Sequence, residues 1–168
     1  MHPRRHISRR THLLLALHVW VLATLILLLD KLLPLQRLLR LLTPRRSFGP
    51  YAGMDVDQVV AAVGRRLRRP RHMRRRACLR QSLMLYHFLR LAGSAAVFHV
   101  AVFPPSVDPQ RLHAHSWVTV GEKCVSEPPA TGAVEMLTYG VPAGREKPEA
   151  QKTASEACGD WTALPRRV

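Results

Sequence analysis

Between Cys78 and Ser126 the apolar residues change their spacing, and that change limits the fold more than any other feature of the chain. Residues 78–91 place Leu79, Leu83, Leu85, Tyr86, Leu89 and Leu91 on a helical period, and Gly93 follows where a helix can end in left-handed backbone. SAAVFHVAVF then alternates, with Val97, His99, Ala101 and Phe103 opposite Phe98, Val100 and Val102. After PPSVDPQ, the stretch RLHAHSWVTVGEKCVSE alternates again. His113, His115, Trp117 and Thr119 share one face; Ala114, Ser116, Val118 and Val120 share the other. Gly121-Glu122 suits a tight turn into a short third strand, residues 123–126. The expected order is helix, strand, strand, strand.

The region before residue 78 reads as helices. Residues 13–29, LLLALHVWVLATLILLL, are 17 residues without a charge, which at ~1.5 Å rise each only just reach the length of a membrane span. A signal peptide fits the basic flank, but the run continues through Asp30-Lys31 without a small-residue cleavage site. The next stretch, LLPLQRLLRLLTPRR, repeats leucine at helical spacing with Arg37 and Arg40 on its polar side. The first 50 residues are therefore either helices packed on their own domain or a membrane-associated segment. Residues 43–54, rich in turn formers, read as a linker. MDVDQVVAAVGRRLRR reads as an amphipathic helix capped by Asp55 or Asp57 and stopped by Pro70. The expected division is a basic, Leu-rich helical segment over 1–50, one domain over 51–140, and a disordered tail over 141–168.

The net charge of +15 lies at one end. Residues 1–50 carry nine Lys/Arg against one acid and residues 51–90 ten against two, whereas 91–168 carry seven against eight. Such asymmetry favours an anionic contact: a lipid surface, a nucleic acid or an acidic peptide. The eight arginines within 65–76 have no aromatic residue among them and no groove-reading motif accompanies them, so no nucleic-acid partner is expected. The three cysteines, Cys78, Cys124 and Cys158, make no disulfide framework or CxxC pair, which points to a reducing, cytoplasmic compartment.

The chemistry gathers at the start of the Cys78 helix. Unpaired backbone N–H groups and the helix dipole there favour a thiolate, and Arg74, Arg75, Arg76 and Arg80 push the same way. A thiol nucleophile needs a base, and the base needs a third group to orient it. His115 is the candidate base. A hairpin of 114–120 with 123–127 would return Ser126 or Glu127 beside it. Other readings of the same residues remain open. Cys78 is also compatible with a small buried cysteine. His113 and His115 with Cys124 have the character of a zinc site, without an evident fourth ligand. His99, on an apolar strand, reads as a satisfied core histidine.

Taken together, Cys78-Leu79, Ser82-Leu83, Leu85-Tyr86, Gly93 and Ala114-His115-Ser116-Trp117-Val118 resemble the transglutaminase-like cysteine peptidases of lasso-peptide biosynthesis, the B-type leader peptidases. The resemblance covers about residues 60–128. It departs from the family pattern at Ser116, where alanine is usual, and at Glu127, where an aspartate twelve residues after the histidine is usual. It implies an α+β fold with a transglutaminase/papain-like core, in which the nucleophile-bearing helix packs on a small antiparallel sheet behind N-terminal helices. It also implies a catalytic set of Cys78, His115 and Glu127 without cofactor or metal. The implied reaction removes the leader from a lasso precursor peptide. The implied partners are a separate leader-recognition protein and a lasso cyclase, an asparagine-synthetase-like ligase. The rival expectation is a non-catalytic, basic membrane-associated or scaffold protein with a degenerate peptidase fold.

Overall fold

The computed structural model describes residues 9–67, 77–103, 114–127 and 132–140. Pro70, the arginines from 68 to 76, the PPSVDPQ connection, His113 and the tail from 141 onward lie outside these residues. Four helices come first: α1 (Arg9–Leu32), α2 (Leu35–Leu42), α3 (Val56–Leu67) and α4 (Ala77–Leu91). Strands β1 (Ala96–Val102), β2 (Ala114–Val120), β3 (Lys123–Cys124) and β4 (Val134–Tyr139) follow, in one antiparallel sheet of order β3-β2-β1-β4. The expected α+β architecture, helices followed by a small antiparallel sheet, is the observed one.

Local chemistry accounts for the boundaries. Pro34 lacks an N–H and so cannot continue the α1 ladder; its carbonyl instead accepts from Arg37 and Leu38 N–H and starts α2. Helix α4 ends as expected at Gly93, with φ at 89°. Ser94 N–H bonds back to the Leu89 carbonyl and Gly93 N–H to that of Arg90, the paired bonds that close a helix through a left-handed residue. Val120 pairs with Lys123, so Gly121 and Glu122 form a two-residue hairpin loop, and Gly121 has the positive φ, 60°, such a loop requires.

Helix α4 is the hub. It lies against the sheet face bearing Ala96, Phe98 and Val118, and α1, α2 and α3 pack around its other sides. It is consequently buried without a break from Ser82 to Tyr86, where the leucine spacing had indicated a single apolar face. The segment expected as a linker is also packed. Tyr51 is 1% exposed, Phe48 N–H bonds to the Leu91 carbonyl, and Gly53 N–H to that of Ala92, which fastens residues 48–53 to the end of α4. Strand β4 was not anticipated. It pairs with β1 across an irregularity between Val100 and Ala101, so its register breaks a simple alternation.

Candidate active site

Cys78 is the second residue of α4, in the turn whose N–H groups have no partner within the helix. It is half-buried. Its thiol hydrogen-bonds the His115 imidazole, and this bond is the main cause that draws the thiol below its ordinary pKa; burial opposes it. The positive imidazole and the backbone at Ser116 and Leu79 add to the lowering. The imidazole is raised above its ordinary value, first by the bond to Cys78, then by the Glu127 backbone and the Cys78 and Glu127 charges, against burial. Shifts in opposite directions on bonded partners favour passage of the thiol proton to the imidazole.

The sheet and the hairpin aim the imidazole. His115 is the second residue of β2, and its Nε2–H donates to the Glu127 carbonyl oxygen at 2.8 Å. That leaves Nδ1 for the thiol and sets the tautomer. The hairpin does bring Glu127 back beside His115, but it is the main-chain oxygen that meets the ring. Ser126 holds this return in place. Its hydroxyl accepts from Val118 N–H at 2.9 Å and its carbonyl accepts from Cys124 Sγ at 3.1 Å, extending the pairing past the two residues of β3.

Ser82, one turn beyond Cys78 on α4, joins helix to strand. Its buried hydroxyl donates to the Ser116 carbonyl at 2.8 Å, locking the residue after His115 against the nucleophile helix. The Ser116 hydroxyl is itself buried without a hydrogen-bond partner among the described residues. Arg80, expected to favour the thiolate, faces Asp30 of α1 at 3.7 Å.

Trp117 lies between two imidazoles. The His99 ring stacks on it at 5.0 Å and 9°, and His115 lies alongside at 6.4 Å and 17°. His99 in turn sits 2.6 Å from a Glu135 carboxylate oxygen and 2.9 Å from the Thr119 hydroxyl. Sequence reasoning missed this support. The alternation placed His99 on one strand face and Trp117 on another, and only the pairing of His99 with Trp117 makes them the same face. Cys124 is buried beside Ala101 and Trp117, and among the described residues no cluster of three or more His, Cys, Asp or Glu could hold a metal ion.

A helix-borne thiol, bonded to a strand-borne imidazole whose far nitrogen is held by a neighbouring segment, is the arrangement of an α+β thiol–imidazole protein. A family model, Transglutaminase-like superfamily, matches residues 19–138, from within α1 to β4, and the chain belongs to that superfamily. No curated protein and no solved structure matches it.

Proposed function

We propose that this protein is a cytoplasmic cysteine peptidase that removes the leader from a ribosomally made lasso-peptide precursor. The Cys78–His115 hydrogen bond, with the thiol lowered and the imidazole raised, carries the chemical half of this reading. The superfamily, which includes cysteine peptidases, supports it. The specificity rests on the Cys78-Leu79, Ser82-Leu83 and Ala114-His115-Ser116-Trp117-Val118 motifs.

In this mechanism the Cys78 thiolate attacks the scissile carbonyl carbon. The oxyanion forms beside the N–H groups at the start of α4, which suit it by position and dipole. The tetrahedral species collapses as the C–N bond breaks, and His115 Nδ1–H gives its proton to the departing core amine. Water then attacks the thioester while His115 takes its proton, which frees the leader carboxylate and restores the thiolate. The Glu127 carbonyl serves as the third member, keeping Nε2–H occupied throughout. A separate recognition protein presents the precursor, and a separate ligase cyclises the freed core.

The decisive experiment incubates the full chain with a precursor peptide and its recognition protein and follows leader and core by mass spectrometry. Cleavage at one bond, lost in Cys78→Ala and His115→Ala, is the expected result. Intact precursor throughout, together with a Cys78 that alkylates no faster at neutral pH than in His115→Ala, would remove the peptidase reading and leave the scaffold.

A further inference from the structure

Helix α1 has two apolar faces. Leu15, Val19, Leu22, Ala23 and Ile26 are all buried in the core. On the opposite side Leu13, Leu17, Trp20, Val21, Leu28 and Leu32 are exposed; Leu13 is 72%, Leu17 62% and Leu32 76% exposed. At 1.5 Å per residue this outer stripe runs about 29 Å, and a contiguous exposed apolar face rimmed by polar residues is the kind that marks an interaction site. Nothing in the fold described here covers it.

The charges beside it indicate its occupant. At about 100° per residue, Arg10 and Lys31 fall on the same side of α1 as the exposed leucines, at the two ends of the stripe, and both are exposed. Arg37, Arg40, Arg45 and Arg46, all exposed, follow in the sequence, with exposed Leu41 between them and exposed Phe48 after them. An apolar stripe edged by cations fits lipid tails beneath anionic headgroups. The helix is long and apolar enough to cross a membrane by length and composition. Its inner face, however, is part of the core, and Asp30 near its end pairs with Arg80 in the first turn of α4. A spanning helix would have to leave both.

We propose that the outer face of α1 docks the folded protein on an anionic lipid bilayer, with the helix lying in the plane of the surface. The Asp30–Arg80 bridge then holds the Cys78 end of α4 close to the lipid.

Flotation of the full chain tests this, with phosphatidylcholine vesicles lacking or containing one-third phosphatidylglycerol, at low and high salt. The protein should float with the anionic vesicles, less so at high salt, and at least tenfold more weakly with the neutral ones. Leu17→Glu combined with Leu28→Glu should abolish flotation without changing the melting temperature, since both side chains lie outside the core. Quenching of Trp20 by brominated lipids, taken against Trp20→Phe, separates the geometries: a bromine near the headgroups quenches most if the helix lies flat. Deepest quenching at the bilayer centre would show a spanning helix and overturn the proposal. So would no flotation, or flotation that the double variant retains. A soluble dimer that binds no vesicles, and that the double variant turns into a monomer, would assign the face to a second copy instead.

Discussion

Helices α1 and α4 lie side by side, and their composition and burial run in opposite directions. Helix α1 has no charge from Leu13 to Leu29, yet Leu13, Leu17 and Leu28 are exposed. Helix α4 contains Arg80, Gln81, Ser82, His87 and Arg90, yet Leu83, Met84, Leu85 and Tyr86 are at most 1% exposed. The difference is in what surrounds each helix. A sheet and three helices enclose α4, so even its polar groups need internal partners: Tyr86 OH meets the Thr43 hydroxyl at 3.0 Å, and His87 Nδ1–H donates to the Leu42 carbonyl at 2.7 Å. Among the described residues, helix α1 has neighbours on one side only. The candidate nucleophile therefore sits on the enclosed helix, where partners can shift a thiol, and the more apolar helix is left with surface to offer.

The largest expected effects belong to the α4 side. Cys78→Ala or His115→Ala should lower turnover by at least about a thousandfold. In His115→Ala, iodoacetamide labelling of Cys78, followed by peptide mass spectrometry, should need a higher pH, because the main cause of the lowered thiol is gone. Labelling unchanged by that substitution would mean that the helix start alone activates the thiol.

The two faces of α1 should differ by nearly as much in stability. Ile26→Ala, fully buried, should cost about 2–4 kcal/mol in urea unfolding, whereas Leu28→Ala should stay within about 0.5 kcal/mol. Equal costs would show that the outer face is covered in solution.

The seam between the helices should respond to pH. His18 of α1 and His87 of α4 have ring centroids 5.6 Å apart, and burial lowers both below their ordinary pKa. The unfolded chain then takes up protons before the folded one does as pH falls through about 6.5. Their contribution to stability is present above that pH and is lost progressively below it. His115, raised rather than lowered, works the other way in the same window, so the readout is the difference between proteins: the melting temperature, followed by circular dichroism, should fall more steeply with falling pH in the wild type than in His18→Phe. Identical slopes would break the idea of a tightly packed seam.

Two smaller effects probe the site itself. Ser116→Ala should stabilise by about 1 kcal/mol in denaturant unfolding, since it removes a buried hydroxyl that no described group satisfies. Glu127→Ala should cost about tenfold or less in turnover, because the carbonyl that holds His115 Nε2–H survives the substitution. A loss as large as that of His115→Ala would give the role to the carboxylate.

Much of this was written locally and could be read locally. The helix over 78–91 with its glycine end, the alternation of β1 and β2, the Gly121-Glu122 turn, and Cys78 at a helix start each depend on a few adjacent residues and on periods that backbone geometry imposes. The pairing of Cys78 with His115 was anticipated from chemistry and resemblance. The oxygen that orients His115 was not, because side-chain type says nothing of which atom a bent return strand presents. The alliance of His99, Trp117 and Glu135 depends on register, and β4 on a partner strand far earlier in the chain. Likewise, the residues of α1 specify an apolar helix, but a helix apolar on both sides does not say which side the core will take. That choice came from where α3 and α4 lie, because burial is a property of neighbours and not of the residue.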